Sequence, residues 1–215
     1  MQVFPRYTNT LSRVTAVAVV GLLFTGLWLW SRIQRSPYTT DVRIAKEQPV
    51  PFSHRHHAGE MGIDCRYCHT NVENGAFAGI PPTETCMNCH RQIWADSPML
   101  EPVRESYRTG KPLEWVRVHD LPDFVYFNHS IHVHKGIGCV SCHGRVDRMP
   151  LTWSVEALTM GWCLECHRNP EKHLRPPNAI FDMGWQAPTT EALAGDRLAA
   201  AHHVQTLESC SYCHR

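Results

Sequence analysis

Five short stretches of this 215-residue chain repeat one pattern: CRYCH at residues 65–69, CMNCH at 86–90, CVSCH at 139–143, CLECH at 163–167 and CSYCH at 210–214. Together they use all ten cysteines: Cys65, Cys68, Cys86, Cys89, Cys139, Cys142, Cys163, Cys166, Cys210 and Cys213. Each pair is followed at once by a histidine: His69, His90, His143, His167 or His214. With 15 histidines in the chain, five such placements arise by chance with a probability of about one in a million. Three chemistries use paired cysteines. Structural zinc is one, and the 17 residues between Cys68 and Cys86 and the 20 between Cys142 and Cys163 suit a four-cysteine site. Disulfide pairing in an oxidising compartment is the second. The third is haem c, in which two thiols add to the porphyrin vinyl groups and the adjacent histidine ligates the iron. Only the third needs a histidine after every pair, and five pairs leave a zinc scheme with one pair unmated. Five covalently bound haem c groups are therefore expected.

A haem c iron takes a second axial ligand or leaves an open site, and the two cases mean different chemistry. Ten histidines lie outside the motifs. A repeat selects four of them. FSHRHHAGEMGIDCRYCH from Phe52 and FNHSIHVHKGIGCVSCH from Phe127 both read F-x-H-x-x-H and then G-I-x-C-x-x-C-H. His54 and His57, like His129 and His132, are thus i, i+3 neighbours on one helical turn, able to serve two different irons. His56 and His134 fall outside the shared pattern and read as exposed. His202 and His203 lack the phenylalanine and the i+3 partner. For the fifth iron the preferred second ligand is His119, with Met149 and Met160 as thioether alternatives. Arg91, Arg168 and Arg215 each follow a motif histidine, where a guanidinium could pair with a haem propionate.

These residues need elements to hold them. The expected fold is mainly α with much irregular coil, a single N-terminal transmembrane helix, and a multihaem cytochrome c domain organised around five stacked haems. VTAVAVVGLLFTGLWLW, residues 14–30, is an apolar run flanked by Arg13 and Arg32 with Trp28 and Trp30 at one end. No small-residue cleavage pattern follows it, so a retained anchor is expected rather than a removed signal. Haem is attached on the oxidising side of a bacterial inner membrane, so residues 1–13 are expected in the cytoplasm and residues from about 31 onward in the periplasm. The organisation then reads as a linker (31–49), a two-haem module (50–91), a connecting helix and strand (92–124), a second two-haem module (125–168), and a loop, helix and single-haem segment (169–215). In the connector, Ser97 as N-cap, Pro98, Glu101 and Gly110 mark a helix over 98–109, and LEWVRV (113–118) alternates like a short strand. TEALAGDRLAAAHHVQTLESC (190–210) reads as a helix leading into the last motif. With fewer than about forty residues for each haem, the porphyrins themselves are expected to form much of the interior. The formal charge of +1 gives no basic footprint for nucleic acid.

The F-x-H-x-x-H…C-x-x-C-H layout resembles the multihaem class III cytochromes c. PVPFSHRHHAGEMGIDCRYCH, GIPPTETCMNCHRQIWADSPMLEPVRESY and RVHDLPDFVYFNHSIHVHKG are similar to the pentahaem cytochrome c subunits of bacterial alternative complex III, a membrane assembly that oxidises quinol. That resemblance spans about residue 49 to Arg215. It implies partners: an iron–sulfur protein, integral membrane subunits that handle quinol, and a monohaem cytochrome c. Electrons would leave to a soluble cytochrome c, a copper protein or a terminal oxidase of a respiratory chain. The expected role is an electron-transfer subunit without catalytic residues of its own. The alternative is a multihaem reductase of the nitrite or hydroxylamine type, which needs one open haem site with acid–base groups beside it. Ten spare histidines for five irons favour the relay.

Overall fold

The computed structural model describes residues 4–186 and 194–214. Contacts divide the chain into two units, residues 1–42 and 43–215. The first is dominated by α1, Thr8–Gln34, a 27-residue helix with no buried residue, followed by the short α2, Pro37–Thr40. Helical geometry outruns the apolar run on both sides: Asn9, Ser12 and Arg13 precede it and Arg32 and Gln34 follow. At 1.5 Å per residue α1 is about 40 Å long, long and apolar enough to cross a membrane.

The second unit is built of short helices, one-turn segments and coil, with no sheet among the described residues beyond an isolated bridge between Ile137 and Leu174. Its α-helices are α3 (Cys65–Cys68), α4 (Thr83–His90), α5 (Glu101–Thr109), α6 (His129–His134), α7 (Val140–His143), α8 (Met160–Arg168), α9 (Ala194–Ala201) and α10 (Cys210–Cys213). The first F-x-H-x-x-H segment runs into a π-helical turn, Arg55–Glu60, where its counterpart forms α6.

The apolar core is slight. Val50, Met87, Leu100 and Val103 form one buried cluster, with Cys86, Leu113 and Trp115 packed against it. Val72, Val133 and Ile180 form a second, which ties the two modules to the tail. A fully buried side chain of this kind contributes about 1.5–3 kcal/mol, so clusters this small leave much of the unit to be held by other means. Polar links do part of it. Ser106 on α5 shares a 2.7 Å hydrogen bond with Thr83 on α4 and donates one of 2.6 Å to the Lys111 carbonyl.

Three sequence expectations are corrected here. LEWVRV forms no strand; the Gln48 side chain pairs with both the N–H and the C=O of Val116 instead. The connecting helix divides into a 3₁₀ turn, Pro98–Leu100, and α5. Ser97 does not cap it by its side chain; its carbonyl accepts from the Arg104 guanidinium. Gly110 does end α5, at φ +70°. Of the helix expected over 190–210, residues 190–193 lie outside the described residues. The helical part stops at Ala201, His203 has a φ of +48°, and coil leads to the last motif.

The π-helical turn lies against the 3₁₀ turn Val146–Arg148, and Gly59 sits at the contact. A Cβ there would stand 2.0 Å from the Asp147 carbonyl oxygen, a backbone atom. Gly59→Ala should therefore lower unfolding stability by about 1–3 kcal/mol, read from thermal or denaturant unfolding. Gly161→Ala on α8, where a Cβ meets no atom within 4 Å, should be neutral or stabilise by up to about 1 kcal/mol.

Candidate haem attachment and ligand sites

Each C-x-x-C-H motif is placed on helix. The one-turn α3, α7 and α10 carry the first, third and fifth motifs, while α4 and α8 extend one turn upstream of the second and fourth. The glycine of the repeated G-I-x-C is explained by its backbone: Gly62 has φ +68° and Gly136 has φ +86°, a left-handed turn that glycine adopts without steric cost. Asp64 then caps α3 by accepting from the Arg66 N–H. In the second module the backbone is pinned from outside. The Arg175 N–H donates to the Gly136 carbonyl at 2.8 Å, and the Cys139 N–H to the Ile180 carbonyl at 3.2 Å.

The four repeat histidines come to face four motif histidines. His54 lies across from His69, ring centroids 6.4 Å apart and planes 8° apart; His129 lies across from His143 at 6.3 Å and 9°. His57 faces His90 at 6.1 Å and 64°, and His132 faces His167 at 6.2 Å and 74°. With metal–nitrogen bonds of about 2.0 Å on each side and each nitrogen about 1.1 Å from its ring centre, one metal ion between two imidazoles sets the centroids about 6.2 Å apart. All four separations match that spacing, so the residues present fit a six-coordinate haem iron in each gap. The two modules also repeat the angles, one near-parallel pair and one steep pair in each.

Hydrogen bonds fix the rings. His57 Nδ1 bonds the Ser53 carbonyl and His132 Nδ1 the Asn128 carbonyl, at 2.9 and 2.7 Å. His129 Nδ1 bonds the Ala76 carbonyl at 2.8 Å, His69 the Gly79 carbonyl at 2.7 Å, and His54 the Thr152 hydroxyl at 2.8 Å. His90 bonds the Ile93 carbonyl and His214 the Phe124 carbonyl, at 3.0 and 2.9 Å. A proton held on Nδ1 leaves the Nε2 lone pair for a metal. The neutral ring is favoured as well. Burial, then His69 and His57, lowers His54 to about 4; burial, then the surrounding histidines His119, His129, His69 and His54, lowers His143 to about 3.

Phe52 and Phe127 have a role the sequence did not disclose. Phe52 meets His54 edge-on at 4.9 Å and stacks on His57 at 4.4 Å; Phe127 does the same to His129 at 4.8 Å and His132 at 4.5 Å. One aromatic ring orients both imidazoles of its turn. Its duplication was the available signal.

Other candidates are placed differently. The His119 ring meets His143 edge-on at 4.3 Å, and its Nε2 is buried without a hydrogen-bond partner. The His214 ring has Phe124 as its neighbour, at 5.8 Å, so His119 and His214 are not brought face to face as the other four pairs are. Met149 is buried and Met160 is exposed. His56 bonds Glu60, and His134 bonds the Ser130 carbonyl. Arg91 bonds the Tyr107 hydroxyl and Arg168 pairs with Glu208 at 2.7 Å, so both guanidinium groups already have protein partners; Arg215 lies outside the described residues. No disulfide joins any of the ten cysteines. Among the described residues no three His, Cys, Asp or Glu side chains converge on one point.

This arrangement is that of a multihaem cytochrome c. The family profile described as "Cytochrome c7 and related cytochrome c" matches residues 125–215, and "Class III cytochrome C family" matches residues 32–106. A relative from Nitratidesulfovibrio vulgaris strain Hildenborough, "Menaquinone reductase, multiheme cytochrome c subunit", is 33% identical over 182 residues, covering 75% of this chain and 82% of its own length. The chain belongs to the multihaem class III and c7-type cytochromes c.

Because Phe127 touches two imidazoles, Phe127→Ala should disturb two haems at once. In the haem-loaded protein the low-spin absorption bands of two haems should broaden or shift, while Phe124→Ala, next to His214 alone, should affect one. A change confined to one haem in Phe127→Ala would contradict the orienting role.

Proposed function

We propose that the chain is a membrane-anchored, periplasmic relay of five haem c groups, passing single electrons between a quinone-handling membrane partner and a periplasmic redox partner. The four facing imidazole pairs carry this reading. Irons closed on both faces cannot bind a substrate, yet they change redox state with little rearrangement. The protein's contribution is to position the haems and tune them by axial ligand, burial and hydrogen bonds. In this proposal His69, His90, His143, His167 and His214 are the proximal ligands, and His54, His57, His129 and His132 are distal ligands to the first, second, third and fourth haems. His119 is proposed for the fifth on the strength of its buried, unpartnered Nε2. α1 serves as the anchor, with the N-terminus cytoplasmic.

The setting is proposed as a respiratory complex of the alternative complex III kind, in which the neighbours are an iron–sulfur protein, integral membrane subunits and a monohaem cytochrome c. The relative's name places that protein in a menaquinone reductase. Both settings couple a multihaem subunit to the quinone pool, with electrons running in opposite directions. The second reading, a reductase with one open haem, draws on the absence of a facing histidine at His214 among the described residues.

Iron analysis should give five irons per chain without stoichiometric zinc, and the reduced protein should have sharp low-spin bands. His129→Ala should keep all five haems attached and convert one to high spin or to a substitute ligand; an unchanged spectrum would remove His129 from the ligand set. His119→Ala should add a second kind of change, at the fifth haem. A high-spin, ligand-binding haem already present in the intact protein would instead favour the reductase reading. Electron paramagnetic resonance should separate the closed haems by ring angle. Parallel imidazoles split the iron d orbitals and give ordinary rhombic low-spin signals; steeply crossed ones give strongly anisotropic signals. Two haems of each kind are expected from the 8° and 9° pairs and the 64° and 74° pairs.

A further inference from the structure

The order of the motifs in the sequence differs from their order in space. The first and second motifs are in direct contact: the Asn88 amide, inside CMNCH, donates to the Tyr67 hydroxyl, inside CRYCH, at 3.0 Å. Their facing histidines, His54 and His57, also share one turn. The module boundary is then crossed at the first motif. The His129 N–H and Nδ1 both bond the Ala76 carbonyl, and the Ser130 N–H bonds the Gly75 carbonyl, in the loop just after His69. The Arg55 N–H donates to the Met149 carbonyl, and His54 Nδ1 bonds Thr152 beyond the third motif. The first motif thus lies against the third, and α6 carries the imidazoles that face the third and fourth. The fourth meets the fifth, where Arg168 pairs with Glu208 at 2.7 Å, and the Tyr126 N–H bonds the Cys213 carbonyl at 2.9 Å.

Exposure agrees independently. Cys89 and Cys210 are the exposed cysteines, and the other eight are half-buried.

We infer that the attachment motifs form one line in the order 86–90, 65–69, 139–143, 163–167, 210–214, so that the second motif of the sequence is one end and the fifth is the other. The redox partners must then meet the chain at those two ends, and the first motif is an interior step. This rests on the five-haem reading above.

The direct test is to locate the irons in the haem-loaded full chain within its membrane complex, by electron cryomicroscopy or by anomalous scattering at the iron edge. The expected result is an iron at 65–69 whose two nearest neighbours are those at 86–90 and 139–143. An iron at 86–90 lying between the other two overturns the order while leaving the five-haem reading intact. Motifs without iron overturn both. Kinetics supply a second measurement. After flash reduction, the Cys86→Ser/Cys89→Ser variant should still equilibrate its four haems in one fast phase, because only an end has been removed. Cys139→Ser/Cys142→Ser should split the remaining haems into two groups joined by a separate slow phase. A slow phase in the first variant overturns the order.

Discussion

The structure depends on one spacing: two imidazoles about 6 Å apart with room for a single iron between them. The motif supplies one side of that gap and ties the porphyrin to it covalently, but a one-sided tether fixes neither the tilt of the ring nor the distance to the next. The opposing histidine does both, and it comes from a separate turn. The arrangement of the second unit follows from bringing those turns to those motifs. The Nδ1 hydrogen bonds to carbonyls set the tautomers of His57, His69, His129 and His132, and the phenylalanine stacks hold the ring planes of His57 and His132. Both restraints act on groups whose Nε2 must be free, so the polar network and the metal do not compete for the same atom.

That requirement explains why the secondary structure is so fragmentary. A C-x-x-C-H motif needs one helical turn, and α3, α7 and α10 are four-residue helices. Helices this short do not persist alone, because nucleation costs more than the few bonds return. Two small apolar clusters cannot hold so many turns in place. On the proposed reading, porphyrins clamped between two remote segments at four of the sites would act as cross-links in place of a larger core. The chain and its cofactors are expected to fold as one cooperative unit, as metal sites coupled to folding do.

Much of this was legible in the sequence because the chemistry leaves rigid spacings. The ten cysteines, five motif histidines and the duplicated His54, His57, His129 and His132 stand out by pattern alone, and the structure places each of the four across from a motif histidine. The Gly of G-I-x-C and the Phe of F-x-H-x-x-H were visible as repeats; their reasons, a positive φ and a double ring contact, are three-dimensional. Local patterns misled where partners were decisive. LEWVRV has strand alternation, but its backbone at Val116 pairs with the Gln48 side chain and not with a strand. Ser97 and Pro98 form a good helix start, but the carbonyls there are taken by Arg104. The spatial order of the motifs was invisible, since it depends on which loop the second distal turn packs against.

The direction of electron flow is a separate matter from the path. In the proposed relay, four irons held between pairs of histidines would differ in burial but share a ligand type, and axial ligand identity is the strongest local control on potential. A run of similar potentials conducts equally well both ways, so the line alone would set no direction. The asymmetry must then enter at an end. Among the described residues no histidine faces His214 as one does at the other four sites, so in the proposed relay the ligand at that iron would decide whether that end matches the rest or stands apart. An imidazole leaves the line level and lets the partners set the direction. A thioether raises the last potential and drains electrons toward the C-terminal end. An open position converts that end from a relay into a site for chemistry. One coordination bond, at the most exposed end of the chain, therefore separates three functions that the other four sites share the structure to support.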